Sequence, residues 1–433
     1  MKISIIGTGY VGLVTGVGFA HHGHEVTCVD IDEEKVKKIN AAEPPIYEEG
    51  LEDMLQKVVS AGKLSATTDT EEAVLDTELT FICVGTPSGE DGGVDTSYVE
   101  KAARDIAKAL KKKEEYHVVC MKSTVTPGTT DEKVQPILEE SGKTVGEDLG
   151  LGMNPEFLRE GAALKDFLNP DRIVIGGIDQ SSREIIREAY VAFQAPILVT
   201  DMRTAEMIKY ASNALLAAKI SFANEISWLC EKKGIDVYDV MEGVGMDHRI
   251  SRDFLNAGCG FGGSCFPKDV RALRSLAKTE GIETKILDAV LEVNEEQPLH
   301  SVELLKEELG ELRGKKIVVL GVTFKGGTDD VRRTRALPMV QKLLKEGADV
   351  TVYDPMGMKN FSALVERVDY ADSVEDALKG ADACMIQNDW LEFKALSGED
   401  FAKMKNKVVV DARRILDEEE LDKDVTYLGI GKG

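Results

Sequence analysis

MKISIIGTGYVGLVTGVGFAHHGHEVTCVD, residues 1–30, decides the reading of the fold. A short β-type run, Ile3 to Ile6, enters a glycine-rich turn, and a second strand-like run ends at Asp30. Between them Gly7, Gly9 and Gly12 stand in GxGxxG register, and Asp30 follows Gly12 by eighteen residues. That spacing presents backbone N–H groups at a helix N-terminus to a pyrophosphate and aims a carboxylate at a dinucleotide ribose. A carboxylate there repels a 2′-phosphate, so the pattern favours NAD over NADP. The same stretch is uncharged from Ile3 to Ala20 and superficially looks like a signal peptide or a membrane span. Its glycines and its β-type start assign it to the turn instead.

Outward from this unit the alternation continues. LTFICVG and HVVCMKS read as further buried strands, and segments 33–40, 50–60 and 97–112 carry helical spacing between the strands. This alternation predicts a parallel sheet with helices on both faces. Residues 201–233 read as one long helix, with Asp201 as cap, Lys232 and Lys233 in the last turn and Gly234 just beyond it. Ile208, Ala211, Leu215, Ala218, Phe222, Ile226 and Leu229 recur at three and four residues, which predicts one buried stripe. A glycine-rich loop at 258–263 and a mostly helical stretch at 267–312 follow. Gly314 then opens a second α/β pattern: KKIVVLG, a helix from about 336 to 346, ADVTVYD, ADACMIQ and KVVVDAR. GHEVTCVDID near residue 30 and GADVTVYDPM near residue 354 echo each other, each closing a helix with Gly and a strand with Asp. The expected fold class is α/β: two Rossmann-like parallel-sheet domains joined by a long central helix and a helical middle domain. The expected divisions are 1–200, 201–312 and 313–433.

The chain has 433 residues, enough for two to three domains. Its 53 basic and 77 acidic residues give a net charge of −24, with no Lys/Arg block. Nucleic acid and anionic membrane surfaces are therefore not expected as partners. A local basic pocket for a phosphorylated small molecule stays compatible with that balance. The seven cysteines are scattered and odd in number, without CxxC spacing. A reduced, soluble, cytoplasmic protein is expected, without a disulfide scaffold or a structural metal site.

Four further segments carry chemistry. In GGSCFPKD, residues 262–269, Cys265 stands near a cation, Lys268, and a carboxylate, Asp269. A nearby positive charge favours a nucleophilic thiolate. Cys28, Cys83 and Cys120 lie inside strand runs and read as small buried residues. Lys209 and Asn213 share one face of the long helix and can stabilise an oxyanion. NPEFLREG, residues 154–161, offers Glu156 and Glu160, and Thr124 follows the strand-like VVCMKS; together these can line a site at the sheet's carboxyl edge. In the second α/β pattern, Phe324 and Lys325 precede TDDVRRTR, and Lys325, Arg332, Arg333 and Arg335 would suit a phosphate.

These pieces resemble the UDP-glucose/GDP-mannose dehydrogenase family nearly end to end. The markers, in family order, are GTGYVGLVTGVGFA, FICVGTPSGEDGG, KSTVTPGTT, NPEFLREGAALKDFLNPDRIVIG, TAEMIKYASNALLAAKISFANEIS, GCGFGGSCFPKDV, GVTFKGGTDDVRRTRAL and VVVDARRIL. The resemblance implies a four-electron oxidation of a nucleotide sugar's C6 alcohol to the acid with two NAD+. Cys265 would carry it as a thiohemiacetal and then a thioester. Lys209 and Asn213 would hold the oxyanion. Asp269 and Thr124 would position water or relay protons, and Glu156 is a candidate base in thioester hydrolysis. On the cofactor side the resemblance implies Gly7, Gly9, Tyr10, Val11 and Gly12 in the turn. It adds Asp30, Lys35, Thr86, Thr124, Glu160 and Arg332. On the nucleotide-sugar side it implies Glu156, Phe157 and Leu158 with Lys209 and Asn213. Phe254, Leu255, Asn256, Ala257, Gly258 and Gly262 belong to the same side, as do Phe324, Lys325 and Arg249. Arg249 would reach the site of a partner chain in a homodimer. GGTDD at 326–330 and HRISRDF at 248–254 depart from the commoner family pattern, both on the nucleotide-sugar side. The segments 154–167 and 204–220 look more like the UDP-glucose branch than the GDP-mannose or N-acetylhexosamine branches, which stand as alternatives.

Overall fold

Val- and Ile-rich runs bounded by turn residues become fourteen short strands in the computed structural model, which describes residues 1–433. The chain divides into two units, Met1–Ser212 and Asn213–Gly433. The first holds β1 (Lys2–Ile6), β2 (Glu25–Val29), β3 (Leu64–Thr67), β4 (Leu79–Ile82), β5 (His117–Met121), β6 (Leu149–Met153), β7 (Ile173–Gly177) and β8 (Ile197–Thr200). Their order is β3-β2-β1-β4-β5-β6-β7-β8, parallel throughout except where β6 meets β7. The second holds β9 (Lys316–Leu320), β10 (Asp349–Tyr353), β11 (Asp369–Tyr370), β12 (Ala383–Ile386), β13 (Val408–Asp411) and β14 (Thr426–Gly429). Its order, β11-β10-β9-β12-β13-β14, repeats that of the first six strands of the first sheet. Both are doubly wound Rossmann sheets, as the alternation predicts.

The echo between residues 30 and 354 extends to atoms. Gly7 leaves β1 at φ +96° and its N–H donates to the Val29 carbonyl at 2.7 Å. Gly321 leaves β9 at φ +94° and donates to the Tyr353 carbonyl at 2.8 Å. The aspartate closing the neighbouring strand then accepts from the next residue: Asp30 from the Thr8 N–H, Asp354 from the Val322 N–H. In each sheet the strand order reverses between the first and fourth strands, opening a crevice at the carboxyl edge.

The long helix runs Met202–Lys233, capped by Asp201, whose carboxylate accepts from the Thr204 N–H and hydroxyl, and followed by Gly234 at φ +67°. Its expected buried stripe is a correction. Ala211 is exposed, and Leu215, Phe222 and Leu229 are 64%, 52% and 59% exposed. Apart from Met202 and Tyr210, the buried positions are instead small or polar, among them Glu206, Lys209, Asn213, Ala217, Ser221, Asn224 and Ser227. These polar groups have partners built for them. Glu206 accepts from the Gly128 and Thr130 N–H groups and the Thr130 hydroxyl, and Ser221 donates to the Val290 carbonyl. Burial here follows hydrogen bonding, which hydropathy spacing does not register. Helices Phe266–Thr279 and Lys285–Leu309 fill most of the stretch expected to be helical. No helix is long and apolar enough to cross a membrane.

The Gly321 turn yields a stability prediction. An added Cβ would lie 2.4 Å from the Asn388 side chain, in a left-handed backbone that itself costs a non-glycine residue about 1–3 kcal/mol. Gly321→Ala should therefore lower the denaturant midpoint of the second unit by more than the backbone strain alone. Equilibrium unfolding in urea, compared with the unsubstituted chain, checks this.

Candidate active site

In the first unit four adjacent parallel strands, β1, β4, β5 and β6, bring their carboxyl ends together. The loops leaving those ends carry Gly7–Gly12, Thr86, Thr124 and Asn154–Glu160 in turn. The glycine turn fits a dinucleotide. Helix Tyr10–His21 packs so close that a Cβ on Gly12 would lie 1.8 Å from the Gly7 carbonyl oxygen. By contrast, a Cβ on Gly9 would meet nothing within 4 Å. The helix start has no side-chain cap and no acid in its first turn, so its N–H groups and dipole face open space suited to a diphosphate. Tyr10 and Val11 form the first residues of that helix. Asp30 accepts from the Thr8 N–H and hydroxyl and the Asp32 N–H, and Lys35 lies 3.7 Å away. Burial pushes the Asp30 carboxyl up, but these donors and the lysine outweigh it and hold it below the usual carboxylate range. The group is thus an ionised acceptor at neutral pH, the form that binds ribose hydroxyls.

Beyond β6 the chain turns through Asn154–Pro155–Glu156. Glu156 and Lys209 are both buried and form an ion pair at 3.0 Å. The Leu158 N–H donates to the same carboxylate, and the Lys209 ammonium lies 5.5 Å from the Phe157 ring centroid. Burial pushes the Glu156 carboxyl up, yet Lys209, the Leu158 N–H and Lys122 more than offset it and keep it low. Lys122 was not singled out by the sequence. Its ammonium sits inside a box of Phe81, Phe167 and Tyr190, 5.8, 5.9 and 5.9 Å from their centroids, and donates to Asn154 at 2.8 Å. A buried cation thereby pins the turn that carries Glu156. A lysine directly after the apolar run VVCM was the available signal.

In the second unit Cys265 is the exposed thiol; the other six cysteines are free and buried. Burial pushes the Cys28 and Cys83 thiols up to about 12, which leaves them inert. Cys265 instead occupies the N-cap position of helix Phe266–Thr279, where the helix dipole favours negative charge on sulfur. One turn on, Asp269 is buried, accepts from Asn213 at 2.6 Å and pairs with Lys268 at 2.7 Å. The Asp269 N–H donates to the Cys265 carbonyl at 2.8 Å, so this ion-pair cluster is built into the turn that carries the thiol.

The loop before Cys265 is locked to the loop after β9. A Cβ on Gly263 would lie 2.8 Å from the Phe324 ring, and the Gly263 N–H donates to the Arg332 carbonyl at 2.9 Å. Gly262 likewise lies against the Arg333 carbonyl. Asn294, another residue the sequence reading missed, is buried and clamps Phe261 through both its carbonyl and its amide. Asn224 accepts from the Gly258 N–H at 2.8 Å, and Tyr238 donates to the Ala257 carbonyl, which fixes the end of the segment 254–258. Phe254 takes φ +64° there, Leu255, Ala257 and Gly258 are buried, and Asn256 is exposed.

Of the four cations expected to suit a phosphate, Arg335 is a correction. It is buried, donates to the Arg333 and Asn294 carbonyls and pairs with Glu295, so it is spent inside the loop. Arg332 is largely exposed and paired with Asp330, and Lys325 lies beside Phe324. Arg249 is exposed and paired with Asp247 on its own loop.

Comparison with known proteins follows the same division of labour. The NAD-binding domain model of the UDP-glucose/GDP-mannose dehydrogenase family matches residues 1–194, the central-domain model 203–296 and the UDP-binding domain model 318–418. A UDP-glucose 6-dehydrogenase of Haloferax volcanii is 45% identical over 426 residues, covering 97% of this chain and 98% of its own. One from Rhizobium meliloti is 45% identical over 441 residues, covering both chains fully. Among solved structures, a UDP-glucose dehydrogenase from Pyrobaculum islandicum superposes with a TM-score of 0.93 at 44% identity, covering 100% of this chain and 98% of its own. With turn, thiol loop and three domain models agreeing along the whole length, the chain belongs to the UDP-glucose/GDP-mannose dehydrogenase family.

Proposed function

We propose that this NAD-dependent nucleotide-sugar dehydrogenase oxidises UDP-glucose to UDP-glucuronate through a covalent bond to Cys265. The observation that carries the reading is the exposed thiol at a helix N-terminus, one turn from buried Asp269, which is held by Asn213 and paired with Lys268. Bound NAD+ supplies the hydride acceptor for each of two oxidations. The C6 alcohol first loses a hydride and a proton to become an aldehyde. The Cys265 thiolate adds to its carbonyl carbon, and the resulting thiohemiacetal loses a second hydride and a proton. Water then cleaves the thioester, returning the thiol and releasing the acid. A sulfur nucleophile suits both halves because it adds readily and leaves readily.

Lys209 and Asn213 donate to the oxygen that becomes anionic in addition and hydrolysis. Glu156, kept ionised, holds the Lys209 ammonium in place and accepts from water, with Thr124 and Asp269 relaying protons. The low proton affinity of Glu156 suits orienting water better than removing its proton outright. On the cofactor side, Gly7, Gly9, Tyr10, Val11 and Gly12 take the diphosphate and Asp30 and Lys35 the ribose. Thr86, Thr124, Glu160 and Arg332 complete that side. Phe157, Leu158, residues Phe254 to Gly258, Gly262, Phe324 and Lys325 take the nucleotide sugar.

We also infer a homodimer. Leu215, Phe222 and Leu229 are exposed at seven-residue intervals on one helix, the spacing of a helix-to-helix seam. In it the exposed Arg249 reaches the partner's nucleotide sugar.

Five measurements test these readings. Each UDP-glucose consumed should yield two NADH and UDP-glucuronate. In Cys265→Ser the ester is a poorer acyl donor, so the second half-reaction should stall while NAD+ still binds. One NADH per sugar, or normal turnover by that variant, would remove the thioester route. A panel of UDP- and GDP-sugars followed at the NADH absorbance identifies the sugar. Asp30→Ala should weaken NAD+ by about tenfold to hundredfold, the worth of hydrogen bonds to an ionised group, and narrow the gap to NADP+. Unchanged NAD+ affinity would show that the ribose lies elsewhere. Finally, Arg249→Ala and Cys265→Ala chains, each nearly inactive alone, should regain activity as a purified hybrid dimer, because one site then receives both intact residues. A hybrid without activity rejects the shared site.

A further inference from the structure

Asp354 closes β10 at the position that Asp30 takes at the end of β2, yet the two carboxylates live differently. Asp30 is partly exposed and keeps acceptor capacity. Asp354 is buried, and seven donors converge on it. Its Oδ2 accepts from the N–H groups of Val322 at 2.8 Å and Thr323 at 3.1 Å, the Thr323 hydroxyl at 3.0 Å, the Asn388 amide at 3.2 Å and the Trp390 indole at 3.1 Å. Its Oδ1 accepts from the N–H groups of Met356 at 3.0 Å and Gly357 at 2.7 Å. A carboxylate offers about four lone-pair sites, so none is left for a ligand hydroxyl. These donors come from the loops leaving β9, β10 and β12, the three strands around the crevice of the second sheet.

Thr323 carries the strut onward. Its Oγ1 lies 2.9 Å from the Lys325 carbonyl, and it accepts from the Asn388 amide at 2.8 Å. The Thr323 carbonyl in turn accepts from the Thr334 hydroxyl at 3.1 Å. The single Thr323 hydroxyl proton is shared between Asp354 and the Lys325 carbonyl, and with the Thr323 N–H on Asp354 it ties the Lys325 backbone to that carboxylate.

We infer that Asp354 and Thr323 are positioning residues for the nucleotide end of the substrate. The ribose-reading aspartate of the first sheet has become, in the second, an internal strut that sets the Phe324–Lys325 loop. This rests on the assignment of Phe324 and Lys325 to the nucleotide sugar. The second sheet then reads its nucleotide with that loop, and Asp354 never touches it.

The test uses the full chain and titrates it with UDP and with NAD+ by calorimetry, alongside steady-state kinetics. Thr323→Val keeps the shape and removes the hydroxyl. It should weaken UDP and raise the KM for UDP-glucose by about three- to tenfold, the effect of a lost hydrogen bond or two, with NAD+ affinity and kcat nearly unchanged. Thr323→Ser should restore UDP binding. Asp354→Asn should act in the same direction and more strongly, and Thr323→Val keeps the test open if that variant does not fold. Unchanged UDP affinity in Thr323→Val, equal weakening of UDP and NAD+, or failure of the serine to rescue would overturn the proposal. If the unsubstituted chain does not bind UDP, the nucleotide assignment itself falls and takes this proposal with it. UDP binding that is intact in all variants overturns the positioning role alone.

Discussion

Buried carboxylates hold the loops of this protein in place. A loop at the carboxyl edge of a parallel sheet has backbone N–H groups without ladder partners, and each must find an acceptor. Here the acceptors are carboxyl side chains. Glu206 takes two N–H groups of the loop after β5, and Glu48 takes those of Gly161 and Ala163 beyond β6. Asp411 takes those of Arg413, Ile415 and Leu416 after β13. Asp354 does the same for two loops at once. Hydrogen bonds of this kind oppose the desolvation of the carboxyl group, only in part at Glu206, where burial still pushes it up to about 7, and they fix backbone that hydrophobic packing alone would leave loose.

The same device separates rigid scaffold from reactive group. Cys265 is exposed, but the turn behind it is anchored by Asp269, Asn213 and Lys268, and the loop before it by Asn294. Lys209 is likewise held by Glu156, whose turn is pinned from beneath by Lys122. Cys265 and Lys209 thus each rest on a second buried polar group, which limits how far they can wander from a reacting atom.

What the sequence made legible follows from local rules. Strand periodicity, GxGxxG and the strand-closing aspartate are short-range signals, and they led to two Rossmann sheets and the dinucleotide turn. The odd cysteine out was legible because its neighbours are glycines and charges. The long helix was misjudged on its buried face because hydropathy ranks Leu215 and Phe222 above Asn213 and Ser227, and knows nothing of the partners awaiting the polar ones. Arg335 looked like a phosphate ligand for a related reason: its partners Asn294 and Glu295 lie some forty residues away in sequence. Asn294 was invisible for the same cause. Asp354 was half legible, since its echo of Asp30 was in plain view, but the inversion of its role needed Trp390 and Asn388.

Two copies of one scaffold in a single chain have a consequence for how such a protein changes over generations. The glycine turn hangs from β1 and β2, and the Phe324–Lys325 loop hangs from β9 and β10, each with its own aspartate and its own supports. On the proposed assignment, substitutions in the loop after β9 change the nucleotide-sugar side without replacing any residue that anchors the glycine turn. Appetite for new substrates can therefore drift by small steps while the redox partner stays constant.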